Sequence, residues 1–269
     1  MNQLTLAKRV QVISALVEGN SLRAIVRMTG VSLNTIQKLL AELGPACAAY
    51  QDDEIWAFCY AKDKNLPADK QGIFGFGSVW TWTAMCADTK LVPCWAVGTR
   101  GAGTAFEFMH DLASRLAHRV QLTTDGHRVY LDAVESAFGP EIDYAMLVKV
   151  YGADAEAETR YSPPECIDCK TVPIMGRPDP KHISTSYVER QNLTMRMSMR
   201  RFTRLTNAHS KKLANHVHAI ALHYMHYNFC RVHQTLRVTP AMEAGISDHI
   251  WSIAEIVGLL ESANLERAA

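Results

Sequence analysis

Apolar residues recur at helical spacing through residues 1–45, with turn residues between the groups. The first group predicts a helix over residues 4–18, because its apolar residues fall on one stripe. Two shorter helices follow, and Ser21 and Ser32 stand where a side chain can cap each of them. The segment TGVS, residues 29–32, supplies a glycine turn between these two helices. The stripe of the first helix consists of Leu6, Val10, Ile13, Leu16 and Val17.

Three short helices with a glycine turn before the last one are typical of a helix-turn-helix, whose final helix enters the DNA major groove. We therefore interpret residues 1–45 as a small all-α helix-turn-helix unit that binds DNA. A small helical cap used for packing or dimerisation is an open alternative, and a transcription regulator would show the same pattern. In the DNA-binding interpretation, the residues that can reach base edges or phosphates are Asn34, Thr35, Gln37 and Lys38.

The pattern changes after residue 45 to runs rich in aromatic and β-branched residues, which predict strands. Three such runs follow one another at residues 54–62, 79–87 and 90–98. The short segment Asp88-Thr89 separates the last two as a turn. We predict that the three strands form an antiparallel meander.

Helical and strand patterns alternate beyond the meander. The predicted elements are a helix over 103–119, a strand over 120–126, a helix over 129–139, a strand over 143–152 and a long helix from 182. This order predicts an α/β fold, with a mixed sheet that carries helices on its faces. In such sheets, functional residues collect at the carboxyl ends of strands and at the starts of helices.

The overall composition is that of an ordinary folded protein: 269 residues, 48% of them hydrophobic and 20% charged. No run of about 18 apolar residues is present, so we expect no transmembrane span and a cytoplasmic protein. Seven cysteines at scattered positions fit reduced cytosolic thiols. Cys166 and Cys169 form one CxxC pair, and the second pair that a zinc ribbon needs is missing from the sequence.

Charge is distributed unevenly along a chain whose net charge is only +1. Residues 181–237 contain ten lysines and arginines against a single acid, Glu189, whereas residues 132–168 contain nine acids against two bases. A basic surface in the C-terminal third suits a polyanionic partner, and a solvated charged face is the plainer alternative.

Carboxylates occupy positions where a metal-dependent site could form. Asp125 ends a predicted strand, Glu189 lies in the opening turns of the long helix, and Asp52 and Asp53 precede the first strand. Three converging carboxylates would suit two Mg²⁺ or Mn²⁺ ions about 4 Å apart. Each acid also has an ordinary explanation, since Asp-Gly is a common turn and an acid stabilises the first turn of a helix.

Only one of the acids Asp52 and Asp53 can face a shared site, because strand residues alternate between the two faces. Asp53 shares a face with Ile55, whereas Asp52 shares a face with the aromatic residues Trp56 and Phe58. The aromatic face looks like the buried one, but parity alone leaves open which acid points inward.

Several stretches, in order along almost the whole chain, resemble the DDE transposases of the insertion-sequence-one family. The matching segments are DEIWAF (53–58), VWTWTA (79–84), LTTDGHRVYL (122–131) and HISTSYVERQNLTMRMSMRRFTRLTNAHSKK (182–212). A further segment, YNFCRVHQTLRVTP (227–240), resembles a C-terminal signature of DDE transposases in general. The resemblance rests on all these segments occurring in the same order, because the three residues TDG alone are not specific.

The resemblance implies an RNase H-like catalytic domain in which Asp53, Asp125 and Glu189 form the metal-binding catalytic triad. It also matches Arg196 to a basic residue that follows the glutamate. Seven residues are about two helical turns, so Arg196 and, at eleven residues, Arg200 lie within about 20° of Glu189 around the helix. Both can hold DNA phosphates beside the metals. The full set expected to contact DNA here is Arg190, Arg196, Arg200, Arg201, Lys211, Lys212 and His233.

We expect the apolar residues of the long helix, and most histidines of the helical segment after it, to have a structural role. An apolar stripe beside the arginines should anchor the long helix on the sheet; it consists of Val188, Met195, Met199 and Phe202. Six histidines between residues 209 and 233 are expected to be mostly surface or packing residues, with His233 the best placed to assist the site.

The sequence departs from the family pattern before the first acid. Family members carry a basic linker there, whereas here ACAAYQD (46–52) runs straight into DEIWAF. We therefore predict a first strand that is short or irregular before Asp53, with activity impaired or lost.

Taken together, the sequence predicts a helix-turn-helix unit at 1–45, an RNase H-like DDE domain at 46–245 and a C-terminal helical tail at 246–269. The expected function is Mg²⁺- or Mn²⁺-dependent DNA strand cleavage and transfer. The expected partners are double-stranded element ends and target DNA, with a homo-oligomer in the active complex and no membrane. We therefore expect the protein to be cytoplasmic and to associate with the bacterial nucleoid when it binds DNA. An inactive DNA-binding remnant or a helix-turn-helix regulator is the alternative.

Overall fold

The structure, a computed structural model, describes residues 4–47, 54–152, 166–203 and 208–266. The helices in this part are α1 (Leu6–Val17), α2 (Leu22–Thr29), α3 (Leu33–Cys47), α4 (Ala102–Arg115), α5 (Val129–Phe138), α6 (Ser186–Ser198), α7 (Leu213–Met225), α8 (Pro240–Glu243) and α9 (Ile253–Glu266). The strands are β1 (Ile55–Cys59), β2 (Gly77–Thr83), β3 (Trp95–Gly98), β4 (Val120–Asp125), β5 (Ile142–Tyr151) and β6 (Cys166–Met175).

The predicted α/β class is confirmed, and the strands pair differently from the single sheet that we expected. The chain divides into two units, Met1–Arg100 with Arg190–Ala269, and Gly101–Glu189. The described strands pair into one three-stranded sheet in each unit, β1-β2-β3 and β4-β5-β6. The domain boundaries at residues 45 and 245 stay predictions.

The three N-terminal helices form where their apolar periodicity and caps predict them. The Ser21 hydroxyl accepts a hydrogen bond from the backbone N–H of Ala24 at 3.2 Å, and the Ser32 hydroxyl accepts one from Thr35 at 3.3 Å. Each bond satisfies one of the N–H groups that a helix start leaves open. Gly30 ends α2 with a φ of 69°, a conformation that glycine adopts without strain.

These helices share a hydrophobic core with the C-terminal helices of the same unit. Ile13, Ile25 and Ile36 are fully buried and belong to one cluster with Leu222 of α7 and Ile256 of α9. Such a shared core is what the packing alternative predicts. It is also compatible with DNA binding, because Asn34 and Lys38 on α3 stay exposed.

The first sheet is the predicted antiparallel meander, with Trp56 opposite Trp80 and Trp80 opposite Gly98. The expectation that the aromatic face of β1 is the buried one is wrong. Ile55 is 1% exposed, whereas Trp56 is 40% exposed and donates its indole N–H to the Ser78 hydroxyl at 2.9 Å. The polar edge of the indole finds a partner at the surface, and the smaller aliphatic residues fill the core.

The helix α6 packs through the predicted apolar stripe. Met195, Met199 and Phe202 are buried and share a cluster with Ile55 and Ala57 of β1. Val188 is only partly buried. The stripe therefore anchors the part of α6 that lies in the first unit, as the helical spacing predicts.

The connection between β2 and β3 is a loop over residues 84–94 that contains the predicted Asp88-Thr89 turn, closed by a hydrogen bond from the Lys90 N–H to the Cys86 carbonyl at 3.0 Å. The flanking strands are shorter than predicted. Asn228, in the π-helical turn that follows α7, holds this loop like a strand partner. Its side-chain amide accepts from the Val92 N–H at 3.1 Å and donates to the Val92 carbonyl at 2.9 Å. The Tyr227 hydroxyl donates to the Lys90 carbonyl at 3.2 Å. The YNF segment thus has a structural role.

The second sheet contains a strand that the sequence did not predict. β4 pairs in parallel with β5, and β6 pairs with β5 in antiparallel orientation. Nearly all side chains of β6 are exposed, so its sequence lacks the apolar alternation that marks a half-buried strand. Backbone pairing with β5 makes this segment a strand.

No helix in the described ranges is long and apolar enough to cross a membrane. Two histidines on α7 are buried beside aromatic rings: His216 is 1% exposed and lies against the Phe202 ring, and His223 is 6% exposed and lies against Tyr224.

A capping box starts α9. The Ser252 hydroxyl accepts from the Glu255 N–H at 3.3 Å, while the Glu255 carboxylate accepts from the Ser252 N–H at 2.7 Å. His249 adds two ion pairs, to Asp248 and to Glu255, each at 2.6 Å. The Asp248 and Glu255 carboxylates hold the pKa of His249 above its usual value.

The packing of α6 predicts a sharp difference between two methionines on this helix. Met195 is fully buried and Met197 is 77% exposed. We expect Met195→Ala to lower the free energy of unfolding by about 2–5 kcal/mol, because it leaves a cavity, and Met197→Ala to change it by less than about 0.5 kcal/mol. Urea unfolding followed by tryptophan fluorescence measures both. Equal effects would contradict the packing of this face.

The His249 ion pairs predict a pH dependence of stability. Because the folded-state pKa is raised, their contribution is complete below the unfolded-state pKa of about 6.5 and is lost as the pH rises through the folded-state pKa. We expect His249→Gln to remove this decline from the thermal unfolding midpoint. The control His118→Gln, at an exposed site after α4, should leave the decline of the unfolding midpoint with pH unchanged. An unchanged pH profile in His249→Gln would contradict the assignment.

Candidate functional site

Asp125 lies at the carboxyl end of β4, as predicted. In the parallel register it stands opposite Leu147 of β5. Its carboxylate is exposed, and Oδ1 accepts the backbone N–H of His127 at 3.0 Å, which shapes the turn that leaves the strand. Thr124 is buried behind it, and its hydroxyl shares a 2.8 Å hydrogen bond with that of Tyr144. The strand end is therefore fixed, and the carboxylate faces solvent.

Glu189 lies in the first turn of α6, also as predicted. Its Oε1 accepts a hydrogen bond from the Thr185 hydroxyl at 2.6 Å, one turn back along the chain. The same oxygen binds the ammonium group of Lys149. Two donors on one oxygen orient this carboxylate.

Lys149 is the residue of this site that sequence reasoning missed. It lies on β5, two residues beyond Leu147, so its side chain projects from the same face of the sheet as that of Asp125. The advance along the strand is about 7 Å. Because Lys149 binds Glu189, the Glu189 carboxylate lies against β5, two residues beyond the position opposite Asp125. A lone lysine inside the apolar strand DYAMLVKVYG was the available signal.

The electrostatics of the Lys149–Glu189 pair favour its charged form. Partial burial acts to raise the pKa of Glu189, but the bonds from Lys149 and Thr185 outweigh it and the pKa lies below its usual value. Burial acts to lower the pKa of Lys149, and the contact with Glu189 outweighs it, so that pKa is raised. Both groups are therefore ionised at neutral pH.

The first acid of the predicted triad, Asp53, lies outside the described residues, as does Asp52. The prediction of a short first strand before Asp53 therefore stays a prediction, with β1 described from Ile55 onward. Next to it, the Glu54 carboxylate is bonded to the Arg100 guanidinium at 2.8 Å, and that guanidinium also lies over the Trp80 ring.

The described residues contain no group of three or more His, Cys, Asp or Glu side chains that could hold a metal ion. Cys166 and Cys169 are exposed on β6, with their sulfur atoms 3.7 Å apart. The donor types at Asp125 and Glu189 fit a hard divalent ion, because both residues offer carboxylate oxygens.

The residues predicted to contact DNA differ in exposure. Thr35 is half-buried and shares a 2.8 Å hydrogen bond with the Ser32 hydroxyl. Arg201 is largely buried and donates to the Ser210 hydroxyl at 2.6 Å and to the Asn215 carbonyl at 2.9 Å. Gln37, Arg196 and His233 are partly exposed, and the fully exposed ones are Asn34, Lys38, Arg190, Arg200, Lys211 and Lys212.

Comparisons of this chain with protein-family models, with curated proteins and with solved structures found no match. The function proposed below therefore rests on the geometry of the site and on the sequence.

The Lys149–Glu189 contact predicts how the glutamate titrates. We expect Lys149→Met to raise the pKa of Glu189 relative to wild type, because burial is then opposed only by the Thr185 hydrogen bond. Carboxyl-carbon NMR titration of wild type and variant measures the shift. Lys170→Met, at an exposed position on β6, is the matched control. A Glu189 pKa that stays low in Lys149→Met would contradict the pairing.

Proposed function

We propose that this chain is a DDE-type DNA transposase of the insertion-sequence-one kind, with an RNase H-like catalytic domain and an N-terminal helix-turn-helix. The observation that carries the proposal is that Asp125 ends β4 and that Lys149, two residues beyond the partner of Asp125 on β5, binds the Glu189 carboxylate. The ordered match of five sequence segments supports it independently.

In the proposed reaction, Asp53, Asp125 and Glu189 would hold Mg²⁺ or Mn²⁺. The metal would supply an activated water or 3′-hydroxyl and stabilise the leaving oxygen of a phosphodiester. Thr185 and Lys149 orient the Glu189 carboxylate, so that its geometry is fixed before substrate arrives. Strand cleavage and transfer then proceed without a covalent enzyme intermediate.

Basic side chains along α6 and after it would hold the DNA. Arg190 is exposed and Arg196 is partly exposed on α6. Arg200 is exposed but lies beyond the end of this helix at Ser198, and not on it as predicted. Guanidinium groups suit phosphates because they donate two hydrogen bonds in one plane. The exposed α3 residues Asn34 and Lys38 would contact the element end, and joining two ends implies a homo-oligomer.

A DNA-binding protein without cleavage activity is the second candidate, and the Lys149–Glu189 contact favours it. An ammonium group already neutralises the third acid, as it would in a protein that binds no metal there. In a catalytic protein, Lys149 must share Glu189 with the metal or turn toward the DNA phosphate.

Metal-dependent cleavage distinguishes the two candidates. The substrate is a supercoiled plasmid carrying the genomic segment that surrounds this coding sequence, incubated with protein and Mg²⁺ or Mn²⁺. We expect nicked and linear products from wild type, and a loss of at least about a hundredfold in Asp125→Asn and in Glu189→Gln, because each removes a charged metal ligand.

Matched controls are available on α5, where Asp132 and Glu135 are exposed carboxylates of the same unit. Asp132→Asn and Glu135→Gln should cleave like wild type. Equal cleavage by wild type and Glu189→Gln would overturn the catalytic assignment. DNA binding by wild type with no cleavage under either metal would establish the second candidate.

A further inference from the structure

A cleft of about 300 Å³ lies in the first unit, and neither Asp125 nor Glu189 lines it. Its walls are the turn between α1 and α2, the end of α6 with the residues after it, residues 208–211, and α7. We name it the basic cleft. None of its described lining residues is an aspartate or glutamate, and the cationic ones are Arg23, Arg200, Arg201 and Lys211.

At one wall of the cleft, the backbone of the α1–α2 turn lies close to the backbone at the end of α6. Gly19, in the turn between α1 and α2, has a φ of 71°, and a Cβ atom there would lie 2.5 Å from the carbonyl oxygen of Ser198. Only glycine permits both the turn and the contact. The α1–α2 turn is thereby held against the end of α6, which gives the cleft a fixed shape.

Arg201 places a largely buried positive charge in this wall. Its guanidinium donates to Ser210 and to the Asn215 carbonyl, both neutral groups. Among the described residues, no carboxylate pairs with it. Burial lowers its pKa to about 10, so Arg201 remains protonated at neutral pH. A buried charge without a counter-charge is costly, and an anion in the cleft would offset that cost.

His223 supplies an independent sign that the cleft receives a ligand. It lines the cleft from α7 and is 94% buried, being 6% exposed. Within the described part of the chain, its Nε2 has no hydrogen-bond partner. Buried polar atoms are nearly always partnered, so this nitrogen marks a position for a group from outside the chain.

We propose that the basic cleft binds one phosphate group, carried either by a DNA strand or by a free nucleotide. Three guanidinium groups and one ammonium match the charge and the several acceptor oxygens of phosphate. The volume is at the small end for ligand sites and is too confined for a duplex. The inference does not depend on cleavage chemistry, because it involves neither Asp125 nor Glu189.

The test compares two arginines on α2, Arg23 in the cleft wall and Arg27 outside it, both exposed. AMP is titrated by calorimetry and a fluorescent single-stranded dodecamer by anisotropy, against the full chain at fixed salt. We expect Arg23→Gln to weaken binding about tenfold, the effect of one charge-assisted hydrogen bond, and Arg27→Gln to change it less than about twofold. Lys211→Gln should behave like Arg23→Gln.

The two sources of phosphate give different results. AMP binding that Arg23→Gln weakens identifies a nucleotide site, and the His223 ring signals in NMR should then shift on AMP addition. Dodecamer binding that Arg23→Gln weakens, without AMP binding, identifies a DNA-strand phosphate. Equal effects of Arg23→Gln and Arg27→Gln on every probe, or binding of neither probe, would overturn the proposal. Circular dichroism spectra confirm that each variant is folded.

Discussion

The parallel register of β4 and β5 sets Asp125 opposite Leu147, and the position of the candidate site depends on it. With this register, the side chain of Lys149 emerges beside that of Asp125 and just beyond it along the sheet. The ammonium group then fixes Glu189 at the same sheet end. A slip of one residue would turn Lys149 to the opposite face and separate the two acids.

The charged side chains of the two units are arranged differently. In the second unit, carboxylates face solvent and one of them is paired with a lysine. In the first unit, a cleft gathers cationic side chains, and Arg201 remains charged while largely buried. Carboxylates can attract divalent ions, and the cleft can hold an anion directly.

Local signals in the sequence predicted much of the fold. Ser21 and Ser32 cap their helices, and the stripe of Met195, Met199 and Phe202 packs as its spacing indicates. Asp125 and Glu189 lie where strand-end and helix-start patterns placed them. The predictions that were wrong or missing concern features that depend on tertiary contacts. β6 is a strand because it pairs with β5. Trp56 is exposed because the aliphatic face of β1 packs against α6. Lys149 was missed because its role appears only once Glu189 packs beside it. The segment SIAE at residues 252–255 is a capping-box pattern, and it would have predicted the start of α9.

We propose that Asp53, Asp125 and Glu189 together would hold the metal. Iron-directed backbone cleavage measures this directly: Fe²⁺ replaces Mg²⁺, and ascorbate with peroxide generates hydroxyl radicals that cut the chain near the bound ion. The account predicts cuts at three separate segments, around residues 53, 125 and 189, which excess Mg²⁺ suppresses. Cuts confined to other segments, or cuts that excess Mg²⁺ leaves unchanged, would contradict it.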